Sequence, residues 1–208
     1  MDRLFLPMAT TTADLSAYRL PAWKRGIDLF LGGVFVILFS PLFVVCWAAV
    51  RLTSAGPALH WSKRVGKDNR LFSMPKFRTM RMNTPQLATH LLPQPERYLT
   101  PIGALLRKTS LDELPQLVSV WRGHLTLVGP RPALFNQDDL VALRTLHGVH
   151  RLVPGITGWA QINGRDDLEL PHKVRYDAEY LEAQSLPLDL KIMTLTLWRV
   201  IKAEGVRH

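Results

Sequence analysis

The chain has 208 residues, 47% of them hydrophobic and 21% charged, with a formal net charge of +9. That length holds one domain of ordinary size with a membrane element attached, and no internal repeat argues for a solenoid or propeller. The single cysteine, Cys46, excludes an intrachain disulfide and the usual cysteine-based zinc spacings.

Residues 1–22 read as a loose N-terminal arm. Residues 23–52 follow as a membrane helix, because no charge interrupts Leu29 to Val50, and about 20 apolar residues cross a bilayer core. Ser40-Pro41 lies near the middle of that run. Proline removes a backbone donor and frees the carbonyl of Ile37, for which the Ser40 hydroxyl is a candidate partner. Lys24 and Arg25 precede the run and Arg51 follows it. Positive flanks at both ends favour a helix that enters and returns, whereas length alone suits a Pro-kinked spanning helix equally well.

Residues 53–208 make the remaining domain. Thr53 to Pro57 is turn chemistry, and the short apolar runs flanking Gly66 to Asn69 predict a β-hairpin. The hairpin region carries Lys63, Arg64, Lys67, Arg70, Lys76, Arg78 and Arg81 against one acid, Asp68. Such a cluster attracts anions, whether nucleic acid, lipid headgroups or phosphorylated small molecules; it is also what a solvated basic face looks like. Thr84 to Pro95 reads as a loop, and helical pieces are expected at Ile102–Lys108 and Leu114–Trp121. A short extended segment at HLTLVGPRP should be followed by a helix over Asp138–Arg151, then a glycine-rich loop with a strand at Trp159–Ile162. Helices over 171–184 and 188–204 finish the chain, the last with Leu190, Met193, Leu197, Trp198 and Ile201 on one face.

Three constellations could carry chemistry. In KTSLDELPQL, Ser110 and Glu113 have capping-box spacing, the bland explanation of the acids. Alternatively, adjacent Asp112 and Glu113 near Arg107, Lys108 and Arg131 suit a divalent cation and phosphates, one carboxylate attacking phosphorus while the other holds metal. GPRP at 129–132 presents Arg131 between two prolines, a stiff mount for phosphate binding or an ordinary rigid turn. PGITGWAQINGR at 154–165 adds Arg165 in a loop without Walker or dinucleotide spacing. The seven histidines show no metal-binding spacing, and no G-x-S-x-G supports a serine hydrolase.

Together these segments resemble the bacterial sugar transferases known as small monotopic phosphoglycosyl transferases, over about Lys24 to Val206. The resemblance rests on KR-x-x-D, the Ser40-Pro41 break, RVG, KFRTM, TSLDELPQL, LVGPRP, PGITGWAQINGR, YDAEYLEAQS and LDLKI in the family's order. It implies an α+β, mainly helical fold: a re-entrant helix broken at Ser40-Pro41, a small hairpin and a compact cytoplasmic catalytic domain with surface or interfacial helices. The implied location is the cytoplasmic face of the bacterial inner membrane, among membrane lipids. The implied reaction moves a sugar-1-phosphate from a UDP-sugar to undecaprenyl phosphate with release of UMP, through a phosphosugar on Asp112. Glu113 matches the Mg²⁺-binding acid and Arg131 a phosphate-binding position; Lys76, Arg78, Arg165 and Asp177 fall in matched motifs as further substrate or supporting residues. Val153 stands where members commonly carry Arg or Lys, and Met74-Pro75 replaces an apolar-Tyr pair. With so short an N-terminal arm, the chain is expected to be the catalytic-core form, without the extra helices of larger relatives. Nucleic acid is not an expected partner. A homodimer is compatible with the sequence, although no heptad supports one. The rival readings are a membrane-bound anion-binding protein and an inactive scaffold of a glycan-assembly complex.

Overall fold

A computed structural model describes residues 18–85, 93–164 and 168–202. The N-terminal arm expected over 1–22 lies mostly outside the described residues, as does Arg165. The chain is mainly helical, with an apolar N-terminal helix and a small antiparallel sheet.

Helix α1 runs Ala22–Thr53, 32 residues with Pro41 inside. It is long and apolar enough to cross a membrane. The Ser40 hydroxyl donates to the Ile37 carbonyl at 2.8 Å, supplying the partner that proline took away. Side chains along the middle, including Val36, Ile37, Leu38, Val44 and Val45, are exposed, and both ends are packed. At the N-terminal end Lys24, Asp28 and Gly32 are buried; at the other, Cys46 and Val50 are buried against Phe77 and Leu106. The N-terminal cations are therefore used inside the protein. Lys24 pairs with buried Asp189, and Arg25 donates to the Val120 and Trp121 carbonyls at 2.6 and 2.8 Å.

Strands β1 (Leu59–Val65) and β2 (Leu71–Phe77) form the expected hairpin, with Leu59 opposite Phe77 and Val65 opposite Leu71. Asp68 and Asn69 have positive φ in the turn, a conformation to which Asn and Asp are well suited. Met74 faces the core and is nearly inaccessible. Helix α2 (Gly103–Lys108) leads into a 3₁₀ turn, Leu111–Gln116, and then α3, Leu117–Trp121. Pro115 inside the turn explains why one α-helix does not run through.

The central part differs from expectation in two places. The strand lies at Gly155–Thr157 (β4), pairing parallel with β3 (Thr126–Val128), and Trp159–Ile162 is a short helix, α5. Helix α4 covers Asp138–Leu146 and stops two residues before Gly148, whose φ is +72°; a 3₁₀ turn at Val149–Arg151 follows. Val153, flagged as a missing cation, is a buried core residue.

Helices α6 (Leu170–Ala183) and α7 (Leu186–Lys202) close the domain. The face of α7 in the core carries Ile192, Leu188 and Met193, packed with Val120, Leu125, Val128 and Tyr180. Of the stripe expected there, Met193 packs in, whereas Leu190, Leu197 and Trp198 are exposed. The phase is set by Asp189, buried to meet Lys24 and the Tyr180 hydroxyl, which donates to it at 2.6 Å. A buried charge with two partners outweighs the apolar periodicity of an exposed flank.

Candidate active site

The 3₁₀ turn Leu111–Gln116 places two neighbouring carboxylates in different surroundings. Ser110, which precedes it, sits in the left-handed region at φ +56°, an uncommon conformation for serine and one concentrated at functional sites. The Ser110 side chain makes no capping bond, and the Glu113 side chain turns away to cations. The capping box permitted by the spacing does not form.

Glu113 Oε1 accepts from Lys76 Nζ at 2.9 Å and from Arg131 Nη2 at 2.8 Å. Burial by itself would raise its carboxyl pKa, but Arg131 and Lys76 outweigh it and hold the group well below the usual carboxylate range. Asp112 is more deeply buried, at 8% exposure. There desolvation dominates and pushes the carboxyl up to about 6, with the Glu113 charge adding to the rise and Lys76, Arg107 and Arg131 opposing it. Two carboxylates one residue apart thus move in opposite directions, which is how a single site separates an ionic anchor from a reactive group.

Lys76 comes from β2, Glu113 from the 3₁₀ turn and Arg131 from the segment after β3, so the site depends on the hairpin packing over that turn. Arg107, from α2, lies in the field of Asp112 and donates through Nε to the Thr79 hydroxyl at 2.9 Å. It belongs with the site; its place five residues before Asp112 on a short helix was the signal available in the sequence.

Other expected residues are placed differently. Arg78 is buried and directs its guanidinium to the end of α1, bonding the Ala55 carbonyl at 2.5 Å and the Ser54 carbonyl and hydroxyl at 2.9 and 2.7 Å. Asp177, at 1% exposure, is paired with Arg144 at 2.6 Å. These bonds hold the scaffold, and neither group offers an open face to a substrate phosphate. Trp159, in the glycine-rich motif, is partly buried; its indole donates to Glu179 at 3.1 Å, and Lys191 lies over its ring.

The glycines around β3 and β4 serve backbone-to-backbone approach. A Cβ on Gly155 would lie 2.1 Å from the Gly129 nitrogen, and one on Gly158 would lie 2.1 Å from the Gly129 oxygen. Only glycine lets these two loops cross so closely. This crossing holds the segment that carries Arg131.

The family model described as "Bacterial sugar transferase" matches residues 19–203. The uncharacterized sugar transferase EpsL of Bacillus subtilis is 40% identical, across 89% of this chain and 90% of its own length. The undecaprenyl-phosphate glucose phosphotransferase of Komagataeibacter xylinus is also 40% identical, over 86% of this chain but only 36% of its own. The exopolysaccharide production protein ExoY of Rhizobium meliloti is 35% identical over 88% and 87% of the two chains. Both the length of the matched region and these identities lead to one conclusion: the chain belongs to the bacterial sugar transferase family.

Proposed function

We propose that this protein transfers a sugar-1-phosphate from a UDP-sugar to undecaprenyl phosphate, releasing UMP. The observation that carries the reading is the Asp112–Glu113 pair, one carboxylate raised by burial and its neighbour lowered by two cations. Relatives whose names state this chemistry support it, among them the UDP-glucose:undecaprenyl-phosphate glucose-1-phosphate transferase of Escherichia coli, 36% identical over 85% of this chain. This chain spans 39% of that protein's length.

In the proposed reaction an Asp112 carboxylate oxygen attacks the β-phosphorus of the donor. An Asp–O–P bond forms, the bond to the bridging oxygen breaks, and UMP leaves with the electron pair. A phosphate oxygen of undecaprenyl phosphate then attacks the same phosphorus, a diphosphate bond forms, and the Asp112 carboxylate departs. A carboxylate raised to about 6 is still mainly ionised at neutral pH and is more basic than an ordinary aspartate. Arg131 and Lys76 supply fixed positive charge beside the transferring group.

A Mg²⁺ ion fits this donor set. Both cation contacts to Glu113 fall on Oε1, so its second carboxylate oxygen would be the one to hold a metal, with Asp112 the neighbouring residue. Among the described residues no three His, Cys, Asp or Glu side chains gather into an all-protein cage, and Mg²⁺ takes one or two carboxylates with substrate oxygens. Bound there through Glu113, it would offset charge on the donor diphosphate.

Helix α1 is read as re-entrant, entering from the cytoplasmic face of the inner membrane. Support comes from its two ends packing on the same domain while the middle stays exposed. With Cys46 replaced by serine, cysteines introduced at Gly26 and Leu52 should both react with an impermeant maleimide in inverted vesicles, and neither in spheroplasts. Labelling from opposite sides would establish a spanning helix.

The reaction is tested with purified protein, undecaprenyl phosphate, Mg²⁺ and a panel of UDP-sugars, following the nucleotide released by wild type and Asp112→Asn. UMP from wild type alone is expected. Release of UDP would contradict phosphosugar transfer.

A further inference from the structure

The GPRP segment contains two prolines and so has few backbone donors, yet its carbonyls are held one after another. Pro130 O accepts from Gly155 N at 2.9 Å, and Ala133 O accepts from Val65 N at 3.0 Å. Between them the donors are side chains: Arg144 Nη1 bonds Arg131 O at 2.7 Å, and Arg64 Nη1 bonds Pro132 O at 3.2 Å. Arg144 is itself fixed. Its Nε and Nη2 both donate to Asp177 Oδ2, at 3.0 and 2.6 Å, and it is 7% exposed. One guanidinium therefore joins α6 to the backbone of the residue whose side chain holds Glu113 Oε1 at 2.8 Å.

We propose that Arg144 is a positioning residue that sets Arg131 against Glu113 through the Arg131 carbonyl, with Asp177 orienting Arg144. The fork geometry is what the role needs. A guanidinium can serve a carboxylate with two nitrogens and a carbonyl with the third, whereas an ammonium is a single point donor that cannot reproduce the fork. Asp177 thus influences the site from two residues away. Its separation from Arg144 in sequence, and the backbone nature of the last contact, hide the connection in the letters.

The kinetic part of the test rests on the transferase reading; the exchange part does not. Arg144→Lys keeps a cation for Asp177 but loses the fork. Hydrogen exchange at the Gly155 and Val65 amides, which donate to the Pro130 and Ala133 carbonyls on either side of this contact, should accelerate at least tenfold in this variant, with the core of α6 and α7 unchanged. Unchanged exchange at these amides would overturn the proposal, whatever the activity. For UMP release, Arg144→Lys should lower kcat about 10- to 100-fold, as expected of a reacting group displaced by about 1 Å. In an Arg131→Ala background the same substitution should cost less than twofold, because the residue it positions is gone. Equal losses in both backgrounds would make Arg144 merely structural and overturn the proposal. Failed folding is separated by Arg144→Met/Asp177→Leu, which replaces the buried pair by apolar groups and should restore the melting temperature. That variant should retain fast loop exchange and slow turnover; recovery of both would also overturn the proposal. If the wild type releases no UMP while Arg144→Lys still loosens the loop, the reaction assignment fails and the positioning role stands.

Discussion

Two buried charge clusters in this molecule use the same residue types to opposite effect. At the base of α1, Lys24 meets Asp189 and the Tyr180 hydroxyl, and Gln184 Nε2 also reaches that hydroxyl, at 3.3 Å. Charges and donors there are matched, and the cluster joins α1 to α6 and α7. At the site, Glu113 is similarly matched by Lys76 and Arg131, but Asp112 beside it is dominated by desolvation and titrates near 6. A balanced buried pair is scaffolding. A carboxylate whose burial is only partly compensated is available for reaction, and it destabilises the fold that holds it.

The largest expected effect comes from removing that carboxylate. Asp112→Asn should lower UMP release by at least about 10³-fold, while raising stability at pH 8 by about 1–3 kcal/mol, at about 1.4 kcal/mol per pKa unit. Activity and melting temperature measured on one preparation check both. The matched cluster should respond in reverse. Lys24→Met leaves Asp189 buried without its cation and should cost about 3–5 kcal/mol of stability, with turnover per folded molecule preserved; a denaturation curve and an activity titration decide it.

The pH profile sharpens the contrast. The raised Asp112 pKa means the native state binds more protons than the unfolded chain between about pH 4 and 6. Its contribution to stability therefore falls as pH rises through that window and stays unfavourable above it. Glu113 acts oppositely: its lowered pKa stabilises above the unfolded carboxylate range, and that benefit is lost as pH falls below it. Turnover should fall on the acid side with an apparent pKa near 6, and this limb should survive Lys24→Met. The smallest effect belongs to the helix break. Ser40→Ala removes the bond to the Ile37 carbonyl and should cost about 0.5–1.5 kcal/mol, read as a small drop in melting temperature.

Much of this was legible because it is local. The hairpin followed from turn chemistry at Gly66 to Asn69, the Ser40–Ile37 bond from proline geometry, and α6 and the end of α1 from periodicity and breakers. What failed depended on distant partners. The strand expected at Trp159–Ile162 is a helix, because the partner strand β3 faces Gly155–Thr157, where glycines allow the approach. The rotation of α7 follows from Asp189 seeking Lys24, a contact across most of the chain. At the site, the acids and Arg131 were identifiable by residue type and spacing, and Lys76 by its motif. The buried positions of Arg78 and Asp177 and the tether through Arg144 were not, since burial and backbone acceptors leave no mark at those positions.

The central claim is that Asp112 becomes bonded to phosphorus. Intact-protein mass spectrometry after incubation with UDP-sugar and Mg²⁺, without the lipid acceptor, tests it directly. The account predicts one sugar-phosphate adduct per chain, on the peptide containing Asp112, absent in Asp112→Asn and discharged by undecaprenyl phosphate. Full turnover on adding the acceptor, with no adduct at any earlier time and UMP formed only when both substrates are bound, would show direct transfer and contradict it.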